Sequence, residues 1–232
     1  MAQAQPRSIL SLESNLWDRS GADTLSRRAF LGLTGGLVLW GLALNAVLAT
    51  WAMSVAFRPG LVLSLVLGLA APMAGIFMAR LSKSLPMSLL GYHLVLVPFG
   101  LLLGPILEMY IRAGGMGIVT SALMLTGCTT GVMTLLGLSY PNVFSKLGGV
   151  LFASLIALVV LRLVSFFVPS LAAAGWIEWL AAGIFTLYIG YDCHRAMAIP
   201  ATGRNAVDVA ISLYLDIINL FLTILRLLGR RD

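Results

Sequence analysis

Long apolar runs broken by short polar gaps dominate the chain. After a polar stretch of mixed charge over residues 1–28, apolar runs cover roughly 29–53, 60–81, 86–111, 115–137, 147–169 and 172–191. A helix needs about 20 apolar residues to cross a hydrocarbon layer of about 30 Å, and each run is of that order. The gaps carry turn formers, as in Arg58-Pro59-Gly60, Ser82-Lys83-Ser84, Gly114-Gly115 and Tyr140-Pro141-Asn142. A seventh run, 206–229, is less apolar and contains Asp208 and Asp216. The pattern predicts an all-α polytopic membrane bundle of six or seven helices, most simply seven. Its parts are an N-terminal cytoplasmic tail (1–28), one transmembrane bundle (29–229) and a short C-terminal tail (230–232). No gap is long enough to hold a soluble domain.

Composition agrees. Hydrophobic residues make up 59% of the chain, charged residues 10%, and the mean hydropathy is +0.98. Soluble domains run near 45–50% apolar and about 25% charged, so lipid is the solvent this sequence suits. The formal charge of +6 lies mostly in the polar gaps. With the N-terminus in the cytoplasm, the inner side holds Arg7, Arg19, Arg27, Arg28, Arg80, Lys83, Lys146, Arg195 and Arg204, and the outer loops hold Arg58 and Arg112. That is the positive-inside bias, and it points to topology control rather than to nucleic acid, which wants a contiguous basic face. Whether the last segment crosses or re-enters is open, and with it the side of Arg230 and Arg231. The run Ser26-Arg27-Arg28-Ala29-Phe30-Leu31 looks like a twin-arginine export signal, but the apolar run behind it is too long for a signal's short apolar core. It reads as a first helix with a basic flank. Cys128 and Cys193 fall in or beside apolar segments without metal-type spacing, so no disulfide is expected.

Ionisable side chains inside these runs carry the candidate chemistry. Burying one near the membrane centre costs about 2.5–3.5 kcal/mol on insertion scales, so it faces the bundle interior and usually has a role. Asp216 lies about ten residues into the last run, roughly 15 Å at helical rise. Ser212, Asp216, Asn219 and Thr223 follow i, i+4, i+7, i+11 spacing and form one polar stripe. The stripe is either functional or an interhelical hydrogen-bond staple. Asp192 ends the sixth run, where an interfacial pairing with His194 or Arg195 competes with a functional role. If Asp192 and Asp216 met, they would share a proton, because two carboxylates do not both ionise cheaply in low dielectric. Such a pair senses pH and offers oxygens to a hard cation such as Ca²⁺. Glu108 and Arg112 have the i, i+4 spacing of a local ion pair. Arg162 is mid-span and calls for an acid or backbone carbonyls as partner, whereas Asp208 reads as a helix start. His93 is a lone histidine in an apolar helix. With no histidine cluster, nucleophile elbow or phosphate loop, the sequence is not read as an enzyme.

Two segments carry a resemblance. Leu187-Tyr188-Ile189-Gly190-Tyr191-Asp192 and Ser212-Leu213-Tyr214-Leu215-Asp216-Ile217-Ile218-Asn219-Leu220-Phe221 look like the signature of the Bax-inhibitor family, as do Gly100-Leu101-Leu102-Leu103-Gly104-Pro105 and the ending Thr223–Gly229. The resemblance covers most of 27–229. It implies six helices around a central last one, a pH-sensitive Ca²⁺ leak, and in eukaryotic members suppression of cell death. It also implies that Asp192 and Asp216 are the hydrogen-bonded pair that acts as pH sensor, and that Arg80 matches a basic residue of some members. The chain departs from leak-type members at Leu67-Gly68-Leu69-Ala70-Ala71-Pro72-Met73, where a second-helix glutamate is missing and a proline enters. It also ends three residues after Gly229, so no tail-based gate is expected. The reading is a proton-sensitive Ca²⁺ leak of a bacterial inner membrane, with no cofactor beyond the ion itself. The alternative is a non-conducting scaffold that binds other membrane proteins.

Overall fold

The computed structural model describes residues 24–168 and 175–230. Most of the tail expected over 1–28, with Arg7 and Arg19, lies outside the described residues, as does Arg231. Eight helices are present among the described residues: α1 (Arg27–Ser54), α2 (Leu61–Leu81), α3 (Leu85–Gly114), α4 (Met116–Ser139), the single turn α5 (Pro141–Phe144), α6 (Gly148–Phe167), α7 (Trp176–Ala198) and α8 (Gly203–Leu228). The described residues include no strand, only an isolated bridge between Thr24 and Thr202. Six helices, α1 to α4, α6 and α8, contain windows apolar enough to cross a membrane. The seventh long helix, α7, has 23 residues and carries Glu178, Asp192 and Arg195. The molecule is a polytopic membrane bundle whose outer faces present large apolar side chains such as Leu39, Val62, Leu135 and Phe152.

Local chemistry sets the helix ends. The Ser26 hydroxyl accepts from the Ala29 amide at 3.2 Å. The Thr202 hydroxyl accepts from the Asn205 amide, also at 3.2 Å. Both α1 and α8 therefore start on hydroxyl caps, which satisfy an amide that a helix's first turn leaves unpaired. Gly115, at φ 79°, makes the turn between α3 and α4 in a region that favours glycine. In α2 the turn Val66–Ala70 widens to a π-helix just before Pro72. Proline lacks an amide hydrogen and crowds the carbonyl four residues back, here Gly68, and a wider turn relieves both problems.

α8 is the centre. Its most apolar window is 56% buried, against 11–33% for the other spanning helices. It packs against α1, α2, α3, α4 and α7. The Tyr214 hydroxyl donates to Asn45 Oδ1 at 2.8 Å, and Asn45 donates in turn to Gly41 O and Leu96 O, tying α8 to α1 and α3. The packing also answers the question of the last segment. Leu25 and Arg27 bond to the 196–201 region at one end, whereas Gly229 packs on Tyr110 and Arg230 lies beside Gly175 at the other. Thus α8 runs the full depth of the bundle and does not re-enter.

Candidate functional site

Asp192 and Asp216 meet. The first comes from α7 and the second from α8, both buried, with their side chains in hydrogen-bond contact. Arg195, one turn further along α7, reaches Asp192 Oδ1 with Nη1 at 3.4 Å and Asp208 Oδ2 with Nη2 at 3.0 Å. Asp208 is 1% exposed and takes a second cation, Arg80 Nε of α2, at 3.0 Å. A continuous polar network therefore runs Asp216, Asp192, Arg195, Asp208, Arg80, from the middle of the bundle to one end of it. Tyr188 and Cys193 of α7 border the aspartate pair, and Thr134 of α4 accepts from Cys193 Sγ at 3.6 Å. Asp216 Oδ2 is buried without a hydrogen-bond partner among the described residues, as is Thr130 Oγ1 one turn from Thr134. Most buried polar atoms find a partner; His194 Nδ1 and Asn205 Oδ1 are the other exceptions among the described residues.

A second cluster lies toward the other end. Arg162 of α6 grips Glu178 of α7 with both terminal nitrogens, 2.6 Å to each carboxylate oxygen. This is the fork geometry in which a guanidinium matches a carboxylate. Arg226 of α8 adds Nε at 3.0 Å and reaches Thr223 Oγ1 at 3.2 Å. Asp208, Ser212, Asp216, Asn219, Thr223 and Arg226 all fall within about 80° of one another around α8, at about 100° per residue. The stripe rises about 27 Å from Asp208 to Arg226. It meets α7 at three rungs: Asp208 with Arg195, Asp216 with Asp192, and Arg226 with Glu178.

The family described as inhibitor of apoptosis-promoting Bax1 matches residues 27–232. The chain belongs to the Bax-inhibitor family. An uncharacterized membrane protein of Vibrio cholerae is 33% identical over 215 residues, 89% of this chain and 91% of that one. An uncharacterized protein of Helicobacter pylori is 35% identical over 130 residues, 56% of each chain. Inner membrane protein YbhL of Escherichia coli is 30% identical over 141 residues, 57% of this chain and 58% of its own. The matches to the last two thus span little more than half of those relatives.

Within this Bax-inhibitor bundle the residues singled out from the sequence separate into three places. Asp192, Asp216 and Arg80 belong to one network. Arg162 does find its acid, but that acid is Glu178. Glu178 meets α8 at Arg226 rather than at Asp216. The two positions on α8 are about 15 Å apart at helical rise. Glu108 is bound to Arg112 at 2.6 Å and also to Arg58 at 2.5 Å, on the half-exposed end of α3. Neither Arg162 nor Glu108 supports the aspartate pair. Asn219 donates to Leu215 O on its own helix, and Ser212 makes no hydrogen bond among the described residues. Two expectations need correction. Asp192 does not end its helix, because α7 continues through Ala198, the charges of its last turns being neutralised by partners on α8. Asp208 does not mark a helix start, since Thr202 caps α8 and Asp208 is a buried double ion pair. The sequence reading missed Glu178 altogether. The signal available was Arg162, a mid-span cation that required an acid at matching depth.

His93 is tied on both sides, Nδ1 to Leu89 O at 2.8 Å and Nε2 to Trp40 Nε1 at 3.2 Å. Cys128 and Cys193 are both free. Among the described residues no group of three or more His, Cys, Asp or Glu side chains is arranged to hold a metal ion.

Proposed function

We propose that the protein is a pH-sensitive cation leak, with Ca²⁺ as its cargo, gated by the proton that Asp192 and Asp216 share. The observation that carries this reading is the contact of the two carboxylates in the middle of a buried polar stripe. Charge counting supports it. Asp192, Asp208 and Asp216 face Arg80 and Arg195, so these five side chains sum to zero only when the carboxylates hold one proton among them. Arg195 stabilises Asp192 as the anion, which leaves the proton with Asp216. Loss of that proton gives the network a net charge of −1 in a low-dielectric interior, which is unfavourable unless water or a cation enters. The closed bundle is therefore favoured as pH falls, and loosening of α8 against α7 is favoured as pH rises. Ca²⁺ acts as cargo in this scheme, because a two-carboxylate site with a guanidinium on one member suits passage better than residence. Counted over the loops, Arg27, Arg28, Lys83, Lys146 and Arg204 at the Arg80 end against Arg58, Arg112 and Arg230 at the other fit a cytoplasmic N-terminus. A bacterial inner membrane is the location that the Escherichia relative's name gives.

The test is Ca²⁺ uptake into proteoliposomes across about pH 5 to 8, a window that brackets a proton held by a carboxylate pair. Wild type is expected to leak more as pH rises, and Asp216→Asn is expected to flatten the profile. An unchanged profile in Asp216→Asn removes the aspartate gate. The second reading, a scaffold that binds other membrane proteins without conducting, is favoured by one observation: the Val66–Ala70 turn of α2 carries no acid. Absence of flux at every pH, together with a defined partner recovered from detergent, supports that reading.

A further inference from the structure

We propose that Arg162, Glu178 and Arg226 close the far end of the α8 stripe, and that their surplus positive charge sets how readily a cation crosses. This deepens the leak reading and rests on it, because it assigns a second control point about 15 Å beyond the aspartate pair. The aspartate network accounts for Asp208, Asp192 and Asp216, yet it leaves unused the buried Glu178 at the other end and its two partly exposed arginines.

Glu178 is 2% exposed, and both its oxygens are taken by guanidinium groups at 2.6 to 3.0 Å. One carboxylate would be neutralised by one arginine. The second arginine adds a full positive charge that neutralising Glu178 does not require, and as a partly exposed ion it contributes little as a staple. Its position gives it a use. Asp216, Asn219, Thr223 and Arg226 share one face of α8, so a cation that follows this polar face from the aspartates meets Arg226 last. Arg226 is held by Glu178 of α7, and Glu178 is held by Arg162 of α6, so the three side chains join three helices across the stripe. The other neighbours are Tyr110 of α3, which lies within electrostatic reach of Arg226, Glu178 and Arg230, and Arg230 itself beside Gly175. Neither of these brings an acid to the cluster. The triad is therefore a barrier by sign. It repels a divalent cation while the guanidiniums stay on Glu178, and it becomes neutral if one of them is lost.

The experiment compares Ca²⁺ uptake by the full-length protein in liposomes with that of Arg162→Gln and Arg162→Lys, at the pH of greatest wild-type flux. Arg162→Gln removes the surplus charge but keeps the Glu178–Arg226 pair, so Glu178 retains a cation, and thermal melting in detergent confirms that it folds. Uptake is expected to rise about tenfold, equivalent to roughly 1.36 kcal/mol off the barrier, while Arg162→Lys stays near wild type. Should Arg162→Gln be folded and leak at the wild-type rate, the barrier role is wrong while the aspartate gate stands. A lysine variant that leaks as much as the glutamine variant overturns it too, because geometry rather than charge would then be responsible. If wild type is silent at every pH, the leak reading fails separately: flux that appears only in Arg162→Gln still supports the barrier, and silence in both sinks it.

Discussion

Asp208 is the residue whose environment departs furthest from its sequence setting. Near the start of an apolar run it resembles an ordinary first-turn acid, yet it is buried to 1% and holds two arginines from two other helices. Removing one partner of a buried ion pair leaves an uncompensated charge behind and typically destabilises by about 3–5 kcal/mol. Arg80 is half-exposed and regains water, which places the expectation for Asp208→Asn at about 3 kcal/mol, the low end of that range. A thermal melt in detergent checks it, and an unchanged midpoint would show that the pairs contribute nothing net. Because Arg195 would then lose its ion pair with Asp208 while keeping that with Asp192, the same variant should also change the pH profile of any flux. Asp216→Asn addresses the other member of the network without removing a cation's partner.

Helix packing depends on two places where glycine lets backbones touch. A Cβ at Gly75 would lie 2.5 Å from the Gly91 carbonyl oxygen, joining α2 to α3, and a Cβ at Gly137 would overlap the Gly190 carbonyl of α7. At Gly190 itself, an added Cβ would collide with the Phe144 ring and crowd Met133. Small residues are what allow transmembrane helices to come this close. Gly190→Val forces α4, α5 and α7 apart, with an expected loss of about 1–3 kcal/mol from overpacking. Since Gly190 sits only two residues from Asp192, separation there should also weaken the carboxylate contact. Melting temperature reads the first effect and the pH profile of uptake reads the second. A variant as stable as wild type would mean that the interface relaxes easily. α2 shows the reverse adjustment, where a π-turn accommodates Pro72 within an otherwise regular helix.

At the scale of the molecule, the two ends of α8 lie at opposite ends of the bundle, Thr202 beside Thr24 and Gly229 beside Tyr110. The chain ends should therefore be labelled from opposite faces of a membrane. Single cysteines at Thr24 and Arg230, in a background lacking Cys128 and Cys193, are expected to react with an impermeant maleimide from opposite sides of oriented vesicles. Labelling of both from one side would contradict a fully spanning α8. The two ion clusters then differ in sign as well as place: the aspartate network is neutral with its proton and negative without it, and the arginine triad is positive. That asymmetry along a single buried helix is a property of the assembled bundle.

Much of this was legible in the chain alone. Apolar runs of spanning length set the bundle and nearly all helix bounds, because lipid demands that every backbone amide be satisfied within its own segment. The period of Ser212, Asp216, Asn219 and Thr223 marked an inward face on the last helix, and an acid at that depth marked Asp216. Pairs within one helix, Glu108 with Arg112 and Asp192 with Arg195, were legible from spacing, but partner choice between helices was not legible from local pattern. Glu178 with Arg162, Asp208 with Arg80, and Asp208 with Arg195 join residues 13 to 128 positions apart. Such pairings follow from which helices become neighbours and at what depth, and local pattern carries no record of either. The same limit hid the full crossing of α8, since its charged ends look too polar to span until the cations and anions of other helices are set against them. Hydrophobic periodicity is a local property and was readable from the sequence, whereas charge compensation is a property of neighbours and was decided only by the tertiary structure.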